Sequence, residues 1–400
     1  MRDPDEFLTG VKELPSGRRQ NYAAAMHGMD AGSAEEIARS HRGGAIDRRE
    51  ALRRLGLLGL GTVGASALLT ACSSDSSSTA ATTSVADKRG GKKYRMLSFC
   101  GGGIRGLISA GVLQRLTVEF PNIVADADAL IGCSVGGSIV SSLLAGQTAE
   151  QIYQSTVNDA PKFYANPGTN LQQPAFDTNL LIGAQQQQHP TNPKLKDLEK
   201  TVMFATFNVG GANTPWKPIM YNNFPKSTNA DTTLIDAVMS SGVMPSEEAS
   251  YKGNVDGAFL SHDPTVAAIA LAVDSGVKCE DIVVITFGTG FMANWIASDT
   301  SSWGQQQWQN GDGNAANQLS SPLYQGTLSP VLSMAFNGTS TNLVSELSAM
   351  LLPGRHAYMN PVLDRLIPEY DTNPTDLQYM QQQTADYDIS PAVKLLEQYW

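Results

Sequence analysis

The stretch YRMLSFCGGGIRGLISAGVLQRLTVEF, residues 94–120, decides how the chain is read. It opens with a short β-type run, passes through a glycine loop, and continues with Leu107, Ala110, Val112, Leu113 and Leu116 at helical spacing. The spacing of Gly101, Gly103 and Gly106 fits the G-x-G-x-x-G dinucleotide fingerprint. The same backbone amides suit a cradle for the oxyanion of an ester hydrolase. The two readings demand different residues downstream: an acidic ribose partner at the end of a second strand, or a nucleophile at a turn.

The second unit, residues 127–146, is ADALIGCSVGGSIVSSLLAG. DALIGC reads as an apolar strand and VGGSIVSSLLAG as a helix, with Ser134 at the turn between them. Asp126 and Asp128 precede the strand, so a ribose partner would stand at the wrong end. Gly132, Cys133, Ser134, Val135 and Gly136 form the only G-x-S-x-G in the chain. A strand-to-helix elbow of this kind holds a serine hydroxyl exposed, with small residues allowing the crowded turn and the helix N-terminus favouring developing negative charge.

Further on, TVMFATFNV, PIMYNNF and DIVVITFGTG read as strands. AEQIYQSTV, DTTLIDAVMSSG and PTVAAIALAV read as helices, the first opened by a capping box of Thr148 and Gln151. This alternation predicts an α/β three-layer sandwich with a largely parallel central sheet. Two Gln/Asn-rich stretches, around residues 172–189 and 301–326, read as surface excursions, either lids or solvated insertions. The part from 327 to 400 shows helical patterns without chemical motifs.

A serine hydroxyl needs a base. The histidines after Ser134 are His189, His262 and His356, and VDGA at 255–258 offers Asp256 after a candidate helix. Standing alone, that dipeptide would be an ordinary Asp-Gly turn.

Taken in order, GGGIRG, GCSVG and VDGA resemble the signature elements of the patatin-like phospholipase family, over roughly residues 94–290. SSGVMPSEEASYKGNVDGA and ITFGTG are weaker echoes. The resemblance implies a lipid acyl hydrolase with a Ser-Asp dyad: Ser134 as nucleophile, Asp256 as base, and Gly132 and Gly136 flanking the elbow. Gly101, Gly102 and Gly103 become the oxyanion loop. Arg105 either orders that loop or is a solvated first-turn residue. The chain departs from the family at Ser261, His262, Asp263 and Pro264, where paired asparagines often precede the proline. His262 thereby opens a triad reading against a plain turn or cap role. Cys133 is expected to face the sheet, Asp263 to cap the next helix, and Gly288, Thr289 and Gly290 to support the site. No cofactor is implied, and no calcium-loop or zinc spacing appears.

Ahead of these motifs, residues 46–72 read IDRREALRRLGLLGLGTVGASALLTAC. Asp47, Arg48, Arg49 and Leu52 resemble the twin-arginine export consensus, and Leu55 to Ala71 is a glycine-rich apolar run of 17 residues. That is short for a span, which needs about 20 apolar residues. Leu69, Thr70, Ala71 and Cys72 resemble a lipobox with Cys72 as the acylated residue. A single-span anchor is the alternative. The expected organisation is an export segment at 1–72, a flexible Ser/Thr/Ala linker at 73–93 and an acyl hydrolase domain at 94–400. The domain would thus face outside the cytoplasm as a membrane-anchored lipoprotein.

Formal charge is −10 for the chain, and beyond residue 71 there are 18 basic against 29 acidic residues, or −11. Such a balance argues against a nucleic-acid partner. The expected partners are a lipid or acyl-ester substrate and a membrane surface; nothing in the sequence sets an oligomeric state. The rival functions are a lipid-binding lipoprotein with a disabled site and a nucleotide-dependent oxidoreductase, the latter failing at the ribose position.

Overall fold

The computed structural model describes residues 93–170, 172–245, 247–320, 329–336 and 343–400. The expected export segment with Cys72, and the linker up to residue 92, lie outside these residues. Among the described residues the strands are β1 (Tyr94–Phe99), β2 (Ala129–Cys133), β3 (Thr201–Asn208), β4 (Lys217–Asn222), β5 (Asn254–Asp256), β6 (Ile282–Phe287), β7 (Phe291–Met292), β8 (His356–Met359) and β9 (Val362–Leu363). The main helices are α1 (Gly106–Glu119), α2 (Val135–Leu144), α3 (Ala149–Asn158), α4 (Thr178–Gln188), α5 (Leu234–Gly242), α6 (Thr265–Asp274), α7 (Val344–Leu351), α8 (Pro374–Asp386) and α9 (Ser390–Tyr399).

The large sheet runs β4-β3-β2-β1-β6-β8, with β5 joined to β3. From β3 to β8 every neighbouring pair is parallel, and β4 and β5 lie antiparallel to β3. β7 and β9 form a small parallel pair of their own. Strands covered on both faces read as continuous apolar runs, which is why ALIGC and IVVITF carry no alternation. Both strands are buried throughout.

Side chains still alternate between two cores. Leu97, Phe99, Leu130, Phe204, Ile285 and Phe287 face one side, where α1, α2, α5 and α9 contribute Leu113, Val140, Val238 and Leu395. Phe99 and Phe287 stack there with ring centroids 4.7 Å apart. Truncating a buried ring of this kind typically costs about 3–5 kcal/mol. Met96, Ala129, Ile131, Cys133, Met203, Ala205 and Val284 face the other side, against Ala268, Ile269 and Ala272 of α6 and Leu351 of α7. The α/β three-layer sandwich with a largely parallel sheet is therefore present.

Local expectations and structure differ in two places. Within the Gln-rich stretch, residues 178–188 form α4, whose start is capped by Asp177 Oδ1 accepting the Asn179 N–H at 2.9 Å. α4 docks on α2 through Gln185, which is buried and accepts a 2.7 Å hydrogen bond from the Ser141 hydroxyl. Its apolar contact is confined to the adjacent Leu181 and Ile182, which pack toward Ile235 and Met239 of α5, too short a run to show helical periodicity. The part from 327 to 400 is not wholly helical either: β8 adds a parallel edge to β6, in a run of only four residues that includes His356 and Tyr358.

Candidate active site

Ser134 stands at the carboxyl end of β2 and immediately precedes α2. Its backbone sits at φ 53 and ψ −127, a conformation that non-glycine residues rarely adopt and that lifts the side chain off the strand end. The turn closes only because position 136 lacks a side chain: a Cβ on Gly136 would strike the carbonyl of Phe99 in β1. The Ser134 N–H donates to Ser241 Oγ of α5 at 3.1 Å, which fixes the elbow from the neighbouring helix. The residue is 8% exposed.

Asp256 reaches Ser134 through sheet register. On one edge of β3, Ala205 pairs with Cys133 of β2, and the next residue, Thr206, pairs with Asp256 of β5. β4 occupies the other edge of β3, so β5 continues where β2 stops. A carboxylate is thus delivered beside the residue that follows Cys133. Gly257 allows the chain to turn there, since a Cβ would collide with the Ala205 carbonyl.

The carboxyl of Asp256 is 1% exposed, and its Oδ1 accepts the Ala258 N–H at 2.7 Å. Its Oδ2 is buried without a hydrogen-bond partner. Burial pushes the pKa of Asp256 up to about 7; the Ser134 hydroxyl and the Ala258 N–H pull it down, and the negative charge of Glu369 adds to the rise. The Ser134 hydroxyl thus stands close enough to the carboxyl to bear on its titration. A base that titrates near neutrality is matched to proton transfer at neutral pH.

The glycine loop is pinned at four points from three segments. Cys100 N–H donates to Phe287 O at 2.9 Å, Gly101 N–H to His262 O at 2.9 Å, and Ile104 N–H to Glu369 O at 2.6 Å. The Thr289 hydroxyl donates to Gly101 O at 2.7 Å. A Cβ on Gly101 would lie 3.2 Å from Ser134 Cβ, so the loop presses directly on the elbow. Of the three glycines expected to form the oxyanion loop, two keep their amides uncommitted. Gly101 has given its N–H to His262, while Gly102 and Gly103, at φ 146 and 57, find no acceptor for theirs among the described residues.

Arg105 is 4% exposed, which replaces the solvated reading with a structural one. Its Nη1 donates to Ile367 O at 2.8 Å and its Nη2 to Glu369 Oε1 at 3.2 Å. His262 is buried, its ring 5.6 Å centroid to centroid from Phe336. Burial lowers the pKa of that ring, keeping it neutral. Its carbonyl holds Gly101, and its Nε2 has no hydrogen-bond partner and lies 3.9 Å from Glu369 Oε1. Arg105 Nε is likewise unpartnered. Both residues border a cavity of about 20 Å³ with Cys100, Thr289, Tyr358 and Asn360, room enough for one water.

Other expected residues take the places foreseen. Cys133 lies in the core against the α6 side, and burial raises its thiol pKa, leaving a neutral thiol. Asp263 Oδ1 accepts the Thr265 N–H at 2.9 Å at the start of α6. Thr148 and Gln151 form the reciprocal capping box at α3. Sequence reasoning missed Ser241 and Glu369, single polar residues whose spacing from the motifs carries no signal.

Residues 97–269 match the family model described as Patatin-like phospholipase. CotR of Bacillus subtilis is 28% identical over 226 residues, covering 54% of this chain and 69% of CotR. Protein teg of Priestia megaterium is 27% identical over 222 residues, covering 54% and 70%. Patatin-T5 of Solanum tuberosum is 24% identical over 274 residues, covering 57% and 69%. Among solved structures, VipD from Legionella pneumophila aligns with 77% of this chain and 67% of its own at 11% identity and a TM-score of 0.37. Over residues 97–269 the chain is thus similar to patatin-like phospholipases. The matched stretch contains the glycine loop, Ser134 and Asp256, and ends before Glu369.

Proposed function

We propose that the protein is a lipid acyl hydrolase that cleaves carboxylic esters of phospholipids or other acyl lipids through a Ser134-Asp256 dyad. The observation that carries this reading is the delivery of a buried carboxylate, with a pKa near 7, to the serine of a strained elbow by consecutive pairings on one edge of β3.

In the first half-reaction the Asp256 carboxylate accepts the Ser134 proton while Oγ attacks the ester carbonyl carbon. The carbonyl π pair moves to oxygen, and the oxyanion takes the uncommitted Gly102 and Gly103 N–H groups. One donor of this type is worth about 3 kcal/mol of barrier. When the carbon–oxygen bond to the alcohol breaks, the proton on Asp256 passes to the departing alkoxide, leaving an acyl group on Ser134. Water then repeats the sequence: Asp256 takes its proton, hydroxide oxygen attacks the acyl carbon, and Ser134 leaves with the proton returned to Oγ. The fatty acid ionises in bulk water. No cofactor or metal takes part in this scheme.

Lipid as substrate class is supported by the family match over residues 97–269. We further propose export of the domain and its attachment to a membrane through Cys72, on the sequence pattern of residues 46–72. Among the described residues no helix is long and apolar enough to cross a membrane. The test is fatty-acid release from a panel of phosphatidylcholine, phosphatidylglycerol and triglyceride dispersions, measured for the wild type and Ser134→Ala. Release abolished by the substitution supports the reading, and equal release from both proteins refutes it.

A further inference from the structure

The two uncommitted amides of the glycine loop owe their placement to a residue far along the chain. Glu369 is 3% exposed and lies between β9 and α8, outside the stretch that matches the family model. It holds the loop by two routes. Its main-chain carbonyl accepts the Ile104 N–H at 2.6 Å, directly after Gly103. Its carboxylate meets Arg105 Nη2 at 3.2 Å, while Arg105 Nη1 is held by Ile367 O two residues earlier. Gly103 fits against the same residue so closely that a Cβ there would lie 2.8 Å from Glu369 Cβ and closer still to its carbonyl oxygen.

We propose that Glu369 is a positioning residue for the oxyanion, holding the Gly102 and Gly103 donors in register with Ser134 through Ile104 and Arg105. The inference rests on the dyad reading above. The Arg105 side chain is buried with Glu369 as its only ion-pair partner among the described residues. Without the carboxylate, an uncompensated guanidinium sits directly under the loop, and the loop shifts to relieve it. An oxyanion hole works only when its donors are fixed before the charge develops, so a small displacement costs turnover and leaves ground-state binding intact. Glu369 also faces His262, whose unpartnered Nε2 stands 3.9 Å away, so one carboxylate serves both Arg105 and His262 beside the glycine loop.

The test compares Glu369→Gln, which keeps the length and an acceptor oxygen, with Glu369→Ala. For a soluble ester, kcat is expected to fall about tenfold in Glu369→Gln and about a hundredfold in Glu369→Ala, with KM changed by less than about threefold. An alkyl trifluoromethyl ketone, which adds to Ser134 to give a hemiketal oxyanion, is expected to lose affinity in parallel with kcat. A purely structural role would not link the two. Thermal melting checks that Glu369→Gln is folded, and this variant carries the test if Glu369→Ala does not fold. Unchanged kcat in Glu369→Gln, or a lowered kcat with undiminished ketone affinity, overturns the proposal. Turnover persisting in Ser134→Ala would instead overturn the dyad reading beneath it.

Discussion

Asp256→Asn should abolish turnover and at the same time stabilise the fold, by an amount that grows with pH. In the native state burial holds the carboxyl at about 7, whereas in the unfolded chain it titrates at about 3.9. A raised native pKa means that the folded protein prefers the protonated form. Its contribution is fully present below the unfolded value and is lost as pH climbs toward 7, because the unfolded chain releases the proton first. At about 1.4 kcal/mol per pH unit, the interval of about three units gives a ceiling near 4 kcal/mol at pH 8. Asparagine escapes this loss. Its Oδ1 keeps the Ala258 N–H, and its amide nitrogen takes the place of Oδ2, which has no hydrogen-bond partner to lose. Burial and the nearby charge of Asp256 both raise Glu248, so neutralising Asp256 relieves that group too, with the same sign. The assay is urea unfolding of both proteins at pH 4, 6 and 8. The expected advantage of Asp256→Asn is near zero at pH 4 and about 2–4 kcal/mol at pH 8. A constant difference across pH, or a variant less stable at pH 8, would refute the burial argument. The same carboxyl predicts that kcat/KM rises with pH through an apparent pKa near 7.

Gly103→Ala places a Cβ at φ 57 against Glu369 and should lower kcat at least about tenfold and stability by about 1–3 kcal/mol, measured by ester hydrolysis and melting. Near-wild-type kcat would mean that the loop is not shaped at this position. His262→Ala should retain turnover within about tenfold, since the Gly101 anchor is the main-chain carbonyl and not the ring. A loss as deep as that of Ser134→Ala would instead support a triad. Cys72→Ala should move the full chain from the detergent to the aqueous phase in a phase-partition experiment; unchanged partitioning contradicts a lipid anchor.

Much of this site is written in local sequence. The two strand-loop-helix units place Ser134 and the glycine loop at the ends of β2 and β1 because each unit carries its own turn residues and its own apolar pattern. Asp256 was legible only as one of three motifs in order, since its proximity to Ser134 comes from β3 serving both β2 and β5, a pairing no local pattern encodes. The commitment of the Gly101 amide to His262 was hidden for the same reason: the acceptor lies 161 positions away and is a backbone carbonyl, which any residue would supply. Glu369 sits in PEYD, where nothing distinguishes a buried anchor from a solvated carboxylate. α4 and β8 show the other limit, one docked through Gln185 and only two adjacent apolar residues and the other only four residues long.

The most direct measurement is mass-spectrometric mapping of a fluorophosphonate adduct on the full chain, in the wild type and in Asp256→Asn. The account predicts one adduct, on Ser134, formed in the wild type and lost or slowed at least about a hundredfold in the variant, whose general base is gone. An adduct on another residue, or labelling of Ser134 at the same rate in Asp256→Asn, would contradict the dyad.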